Sequence, residues 1–497
     1  MRIQRTIAAS LLGLVGALAG VGLLPPQSAR AQEVGGPLPP VPIPPNLVTL
    51  EPVEQLGKDL IFDTIMSDPP GYACVQCHAY STGYTTGLSS IINLRAGVPP
   101  GVRPGRWDNR RGSSYGYAAY SPEGPYYDTE HAVWIGGTFW DGRAADVSKQ
   151  AQGPPIAPNE MANIPAGTAP DQYSPLLVKK IQQRPYSYLF KQIYGPDVFT
   201  KYTQRQLYEL WGEAIGAYEA SAEVCQFSSK YDASKYGVLN GVPNQNITYT
   251  LSASEERGRQ LYFGQAQCFQ CHSSATLLGV QDETEGKDTF SMYCFANIGV
   301  PKNPGNPYYQ MTDPVSNPTG FNPLGRKYID YGLGANPNPS LDLTKFYNTT
   351  PGDIPQFRGL FRTPTTRNVD LRPYPTFVKA YFHNGWSKSL QQAVHFYNTR
   401  NIAVNPTTGE QVAFDLRKGP PAGYNRLWPA PEVLDNVQNV AGYTPAQAAA
   451  AGTTGVTAEN GQVGNLGLTA SQEADLVNFL KILSDGYTAP NPPFGGD

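Results

Sequence analysis

The 497-residue chain has little charge and few of the side chains that bind metals. Charged residues make up 15%, and there are only five histidines, six cysteines, five methionines and six tryptophans. A net charge of −3 gives no basic footprint, which argues against nucleic acid as a partner. Beyond about Leu24 no run is long and apolar enough to span a bilayer, so stable membrane insertion of the mature chain is not expected. By contrast Gly (51), Pro (47) and Tyr (31) are abundant. That mixture predicts irregular, loop-rich structure around a helical frame.

The one apolar run lies at the start. Met1 to Arg5 carries charge, Thr6 to about Leu24 is apolar, and Ser28-Ala29-Arg30-Ala31 supplies small residues for cleavage. This reads as a secretory signal peptide over residues 1–31. The rival is an uncleaved anchor helix, which the Gly-rich and barely sufficient length disfavours. Loss of Arg2, Arg5 and Arg30 takes the net charge from −3 to −6. The mature chain is expected to be exported and periplasmic. Residues 32–48 contain GGPLPPVPIPPN from Gly35 to Asn46, an extended tether without a core of its own.

The scarce ligating residues are concentrated in two pentapeptides, Cys74-Val75-Gln76-Cys77-His78 and Cys268-Phe269-Gln270-Cys271-His272. C-x-x-C-H is the attachment signal for a c-type haem. Two thiols at this spacing can add to the two vinyl groups of one haem, and the next histidine can coordinate its iron. A zinc knuckle would need four ligands drawn from both motifs, and a thioredoxin-type pair does not require the histidine. Two covalently bound haem c groups are the expectation.

The lead-ins to the motifs repeat. Gly57, Leu60, Ile61 and Phe62 precede Cys74, and Gly258, Leu261, Tyr262 and Phe263 precede Cys268. The first lead-in predicts a helix with Val53, Leu56, Leu60 and Ile61 on one face. The second opens on the capping box Ser252 to Glu255, with Leu251 as its staple. A second capping box, Thr469 to Gln472, opens a helix with Leu476, Val477, Phe479, Leu480 and Leu483 as its apolar face. The weak repeat predicts two related haem domains, over 49–245 and 246–497. Three stretches look like insertions: Ser81 to Tyr127, Pro301 to Asp353 and Thr399 to Asn465. They are either binding surfaces or loose decoration.

Between and after the haem motifs lie GTFWDGRAA (Gly137 to Ala145), QAQGPPIAPNEM (Gln150 to Met161), TPTTRNV (Thr363 to Val369), YFHNG (Tyr381 to Gly385) and SLQQAVHFYN (Ser389 to Asn398). With the paired C-x-x-C-H, these motifs resemble the bacterial di-haem cytochrome c peroxidase family, including its MauG-like branch. The resemblance runs from about Leu50 to Gly486 in the family's order. It implies a mainly α fold of two class I cytochrome c-like haem domains packed together, with long irregular loop insertions.

The resemblance also implies roles. The first haem, on Cys74, Cys77 and proximal His78, is the peroxide site. Glu160 matches the distal acid/base, Gln150 a hydrogen-bonding positioner, and Pro154 a distal-face proline that crowds the iron without binding it. Without the resemblance, Glu160 reads as a surface carboxylate. Trp140 matches the indole between the haems, although a tryptophan in an apolar segment is most often core. Arg143 and Arg367 are expected to pair with haem propionates or with acidic side chains. The second haem, on Cys268, Cys271 and His272, takes its sixth ligand from the position fourteen residues after His383. That residue is Tyr397, as in the MauG-like branch, where the peroxidases have methionine. Leu390, Ala393, Val394 and Tyr397 share one helical face, and Met292 is the alternative ligand.

The loop histidine that covers the first haem in many members has no counterpart between Gly101 and Ser114, and His131 lies late for it. The family's calcium position falls near Gly112 or Ser113, which puts calcium in doubt. Cys225 and Cys294 are either a disulfide or free thiols. His383 is expected near a propionate or a turn, and His395 on a helix surface. The implied activity is peroxide reduction coupled to oxidation of a protein substrate or an electron-donor protein. The alternatives are an ordinary cytochrome c peroxidase with a small cytochrome or cupredoxin donor, and a non-enzymatic di-haem electron carrier.

Overall fold

The computed structural model describes residues 49–87, 89–129, 133–163, 175–236, 238–239, 242–243, 250–273, 288–311, 322, 324–335, 355–437 and 463–486. The expected signal peptide and tether, His131, and large parts of the second and third insertions lie outside the described residues.

Helices form the frame, and the strands are short hairpins or small sheets. Helix α1 spans Pro52–Phe62; proline at its start and Glu54, which accepts from Glu51 N at 2.8 Å, satisfy orphan donors of its first turn. Its buried face is Leu56, Gly57, Leu60 and Ile61, with Val53 partly covered. Helix α2 is Val147–Ala151. Helix α3, Gln204–Ala220, crosses α1. There is room only because position 57 is glycine: a Cβ would stand 1.9 Å from Ala214 O and 2.8 Å from Tyr218 Cβ. These helices and the first haem motif enclose one hydrophobic core, with Trp211, Tyr218 and Phe190 fully buried.

The same construction recurs in the second half. Helix α4 is Lys230–Tyr236, α5 is Ala253–Phe263, α6 is Leu390–Thr399 and α7 is Ala470–Lys481. Both expected capping boxes are present, at Ser252/Glu255 and Thr469/Gln472. Gly258 crosses α7 as Gly57 crosses α3, and α6 packs beside α7. Leu476, Val477, Phe479, Leu480 and Leu483 are all buried in this second core. Tyr231 on α4 packs into it as well.

All three stretches read as insertions carry ordered structure, Pro301 to Asp353 as short 3₁₀ turns. Tyr84, Tyr115 and Tyr117, within 81–127, are buried in the first core. Residues 399–465 contribute a three-stranded antiparallel sheet, Gln411–Ala413, Ile402–Val404 and Asn425–Arg426 in spatial order. The halves are tied by buried polar contacts. Tyr117 donates to Asp485 Oδ2 at 2.8 Å, and Asn368 Nδ2 donates to the same oxygen at 2.7 Å. Arg110 binds Asp330 through two hydrogen bonds of 2.7 Å. Losing one partner of such a buried charged pair costs about 3–5 kcal/mol.

Candidate active site

The first C-x-x-C-H begins as a 3₁₀ turn, Cys74–Gln76, close behind α1. Ala73 N and His78 N are held by Gln76 Oε1 and Cys74 O, so the turn presents both thiols and the imidazole together. A cavity is lined by Cys74, Cys77 and His78 and, in the same space, by Gln150, Pro154 and Glu160. His78 Nδ1 lies 3.1 Å from Tyr84 O. A carbonyl only accepts, so Nδ1 carries the proton and Nε2 keeps the lone pair that an iron needs. Gly112 closes on this motif, where a Cβ would be 2.9 Å from Cys77 O and 3.3 Å from His78 Cε1.

Asp146 caps α2 by accepting from Lys149 N at 2.8 Å, which fixes Gln150. Tight turns then carry the chain past Pro154, with Met161 N donating to Pro154 O, and Glu160 O accepts from Val102 N. Glu160 is pushed up to about 8, first by burial and then by the charge of Asp108, against the pull of Arg143. A carboxyl in that range can both hold and release a proton near neutrality. A second acid, Glu219 on α3, also lines the cavity; burial holds its proton on, and its Oε2 has no hydrogen-bond partner.

The second motif repeats the first. Cys268–Gln270 form a 3₁₀ turn, and His272 Nδ1 lies 3.0 Å from Pro364 O. Its cavity, the roomier of the two, is lined by Cys268, Cys271, His272 and, from α6, Tyr397. Met292 is not among the lining residues; it is buried against Ile135 and Cys294. Burial pushes the Tyr397 phenol up, opposed by Arg400. Only a strong Lewis acid at its oxygen would hold it as phenolate near pH 7.

Trp140 lies along this second cavity, and Arg362 and Ser114 line both. Trp140 Nε1 donates to Arg111 O at 2.7 Å, and Arg362 N donates to Trp140 O at 2.9 Å. The surroundings are cationic. Arg111, Arg362 and Lys379 are buried along the second cavity, and burial lowers the pKa of each. Arg111 Nη1, Arg362 Nη1 and His383 Nε2 are buried without a hydrogen-bond partner. Buried unpaired cations call for an anion. The donor set fits two haems, whose carboxylates these cations would hold.

Sequence reasoning missed Arg111, Arg362, Lys379 and Glu219. The signal for Arg362 was a lone cation in the apolar run ahead of TPTTRNV. Arg143 and Arg367, expected to pair with propionates or with acidic side chains, are engaged with acidic side chains. Arg143 Nη1 pairs with Asp141 at 3.0 Å and stacks 3.5 Å from the Phe139 centroid, and it is not among the residues lining either cavity. Arg367, fully buried, pairs with Asp232 at 2.6 and 2.8 Å although its side chain borders the second cavity. Cys225 and Cys294 are separate free thiols. Cys225 donates to Glu219 O at 3.3 Å, and Cys294 lies 3.4 Å from Thr363 Oγ1. His383 stacks on Phe361 at 3.6 Å, and His395 is half-exposed beside Glu473. Among the described residues no cluster of three His, Cys, Asp or Glu could hold a further metal ion, and no helix is long and apolar enough to cross a membrane.

A family model described as di-haem cytochrome c peroxidase matches residues 51–238. The chain is 27% identical to the methylamine utilization protein MauG of Paracoccus denitrificans over 360 residues, 71% of this chain and 77% of that protein. It is 25% identical to the cytochrome c551 peroxidase of Nitrosomonas europaea over 437 residues, 84% of this chain and 96% of that one. Among solved structures, a tyrosine-to-methionine variant of the diheme peroxidase BthA from Burkholderia thailandensis is similar at 25% identity with a TM-score of 0.59, covering 89% of both chains.

Proposed function

The chain belongs to the bacterial di-haem cytochrome c peroxidase family, and from that premise we propose that it is a periplasmic MauG-like oxidoreductase. In this reading it is exported by residues 1–31 and built as two class I cytochrome c-like domains. It reduces hydrogen peroxide at the N-terminal cavity and oxidises a protein substrate or redox partner through the C-terminal one. The observation that carries the reading is the convergence of Glu160, Gln150 and Pro154 on the space that also receives Cys74, Cys77 and His78.

When bound through the cysteines, the two haems supply the electrons that split peroxide and hold the resulting oxidising equivalents. The chain's own residues do the rest. Glu160 accepts the proton of the oxygen nearer His78's cavity face and returns it to the departing oxygen as water forms. Gln150 orients the bound peroxide by hydrogen bonding. Pro154 narrows the space and offers no N–H of its own. His78 and His272, each with Nδ1 tied to a carbonyl, present fixed imidazoles. Trp140 lies beside the guanidinium of Arg111 and relays electrons between the halves. Tyr397 supplies a hard anionic oxygen, which lowers the reduction potential of whatever it ligates.

Electron paramagnetic resonance of the oxidised holoprotein tests this. One high-spin and one low-spin ferric signal are expected, and two low-spin signals would overturn the open first site. The likeness to a cytochrome c551 peroxidase over 84% of this chain favours a second reading, turnover with a small cytochrome donor. Steady peroxide-dependent oxidation of a reduced cytochrome c would select it over slow modification of a protein's Trp or Tyr.

A further inference from the structure

Tyr397 is one end of a packed train of aromatic rings that leaves the second cavity. Its ring centroid is 6.0 Å from Phe382 and 6.4 Å from Phe396. Those two rings lie 6.4 and 5.4 Å from Trp386. Trp386 is 5.6 Å from Trp428, and Phe396 is 5.8 Å from the same indole. Trp428 is partly exposed, and Leu427 beside it is 39% exposed. No other described aromatic train joins Tyr397 to the surface with two indoles in it.

We propose that Trp386 and Trp428 are the stations through which oxidising equivalents held at the C-terminal cavity reach a one-electron redox protein that docks at Leu427 and Trp428. The inference rests on the peroxidase reading above. Electron transfer falls off steeply with distance, so contacting rings carry it far better than saturated chain. Indole is far easier to oxidise than a phenyl ring, so Trp386 and Trp428 can hold the hole and the two phenylalanines act as packed bridges. Each electron that moves inward leaves a radical cation on Trp428, and one electron from the partner restores it. Two such electrons with two protons reduce one hydrogen peroxide to two waters.

The proton inventory favours this exit. Trp428 Nε1 donates to Thr399 Oγ1 at 3.0 Å, and that hydroxyl spends its own hydrogen on His395 O at 2.6 Å. Its oxygen is no base, so the indole keeps its proton and only the electron moves. A rival train runs from His78 through Tyr115 and Tyr84 to Tyr80, at 5.7, 4.6 and 5.6 Å. Its phenols would have to release protons to be oxidised. Tyr84 OH faces a carbonyl, Glu223 O, which cannot take that proton.

The test treats the haem-loaded protein with hydrogen peroxide in the absence of a donor and maps added oxygen by peptide mass spectrometry. Oxidation of Trp428 is expected to exceed that in Glu160→Gln about tenfold, because it depends on chemistry at the first cavity rather than on exposure to peroxide. Trp386→Phe is expected to lower it as well, while the peroxide-induced absorption change persists in that variant. Equal labelling of Trp428 in wild type and Glu160→Gln, or labelling at Tyr80 instead, would overturn the proposal. A wild-type protein whose absorption ignores peroxide would instead overturn the peroxidase reading beneath it.

Discussion

Gly258 lies so close beneath Asp475 that a Cβ would stand 2.0 Å from the Asp475 carbonyl oxygen and 2.7 Å from Phe479 Cβ. Both obstacles belong to helix α7 itself, which cannot yield without moving. Gly258→Ala must therefore push α5 and α7 apart, and Gly57→Ala must do the same to α1 and α3. We expect each to cost about 3 kcal/mol or more, read as a lower thermal midpoint of the holoprotein. An unchanged midpoint in either would mean that the crossings are looser than described.

Glu160→Gln should slow the reaction with peroxide by roughly a hundredfold to ten-thousandfold, with haem content unchanged. The wild-type pH profile carries its own sign. Glu160 accepts a proton only when ionised, and burial places its pKa at about 8. The second-order rate should rise about tenfold per pH unit below that value and level off above it. Stopped-flow measurement showing a flat profile from pH 6 to pH 9 would assign the base elsewhere.

Tyr397→Phe should change the spectrum of the C-terminal haem alone and raise its midpoint potential, because an anionic oxygen favours the oxidised state. Tyr397→Met should raise it further. Redox titration that finds the potential unmoved in both variants would remove Tyr397 from the coordination sphere.

Arg362 borders both cavities, so Arg362→Met should lower both midpoint potentials together. Removing a buried positive charge disfavours adding an electron nearby, by about 1 kcal/mol or more. A shift confined to one haem would show that the guanidinium serves only that side.

Chelation with EDTA should leave spectra and activity unaltered. Next to Gly112, where the resemblance would put calcium, stands the buried guanidinium of Arg111, which has no carboxylate partner among the described residues. Recovery of lost activity by added calcium would contradict this.

Much of the frame could be read in advance, because local chemistry specified it. The capping boxes at Ser252 and Thr469 and the i, i+3, i+4 spacing of Leu476, Phe479, Leu480 and Leu483 depend on near neighbours alone. Helix α3 escaped notice although Thr203 and Gln206 form the same kind of box. The tyrosine-rich stretch from Ser81 to Tyr127 was taken for an insertion because Tyr84, Tyr115 and Tyr117 follow no helical or strand period. They are buried through turns, two of them with positive φ. The cations between the cavities were also hidden, since an arginine in a sequence says nothing of its burial until the halves are assembled. Glu160 and Tyr397 are singled out by the order of the motifs alone, since nothing in their immediate sequence marks them.

The paired crossings also set an order of assembly. The N-terminal half has all its framing helices once Ala220 has been made, well before Cys268. Its helical core can pack while the remainder is still being synthesised. The C-terminal half has no such early closure, since the partner of Gly258 lies at Asp475, close to the last described residue, Gly486. A chain that stops short by a few dozen residues would thus be expected to have one finished half and one open one.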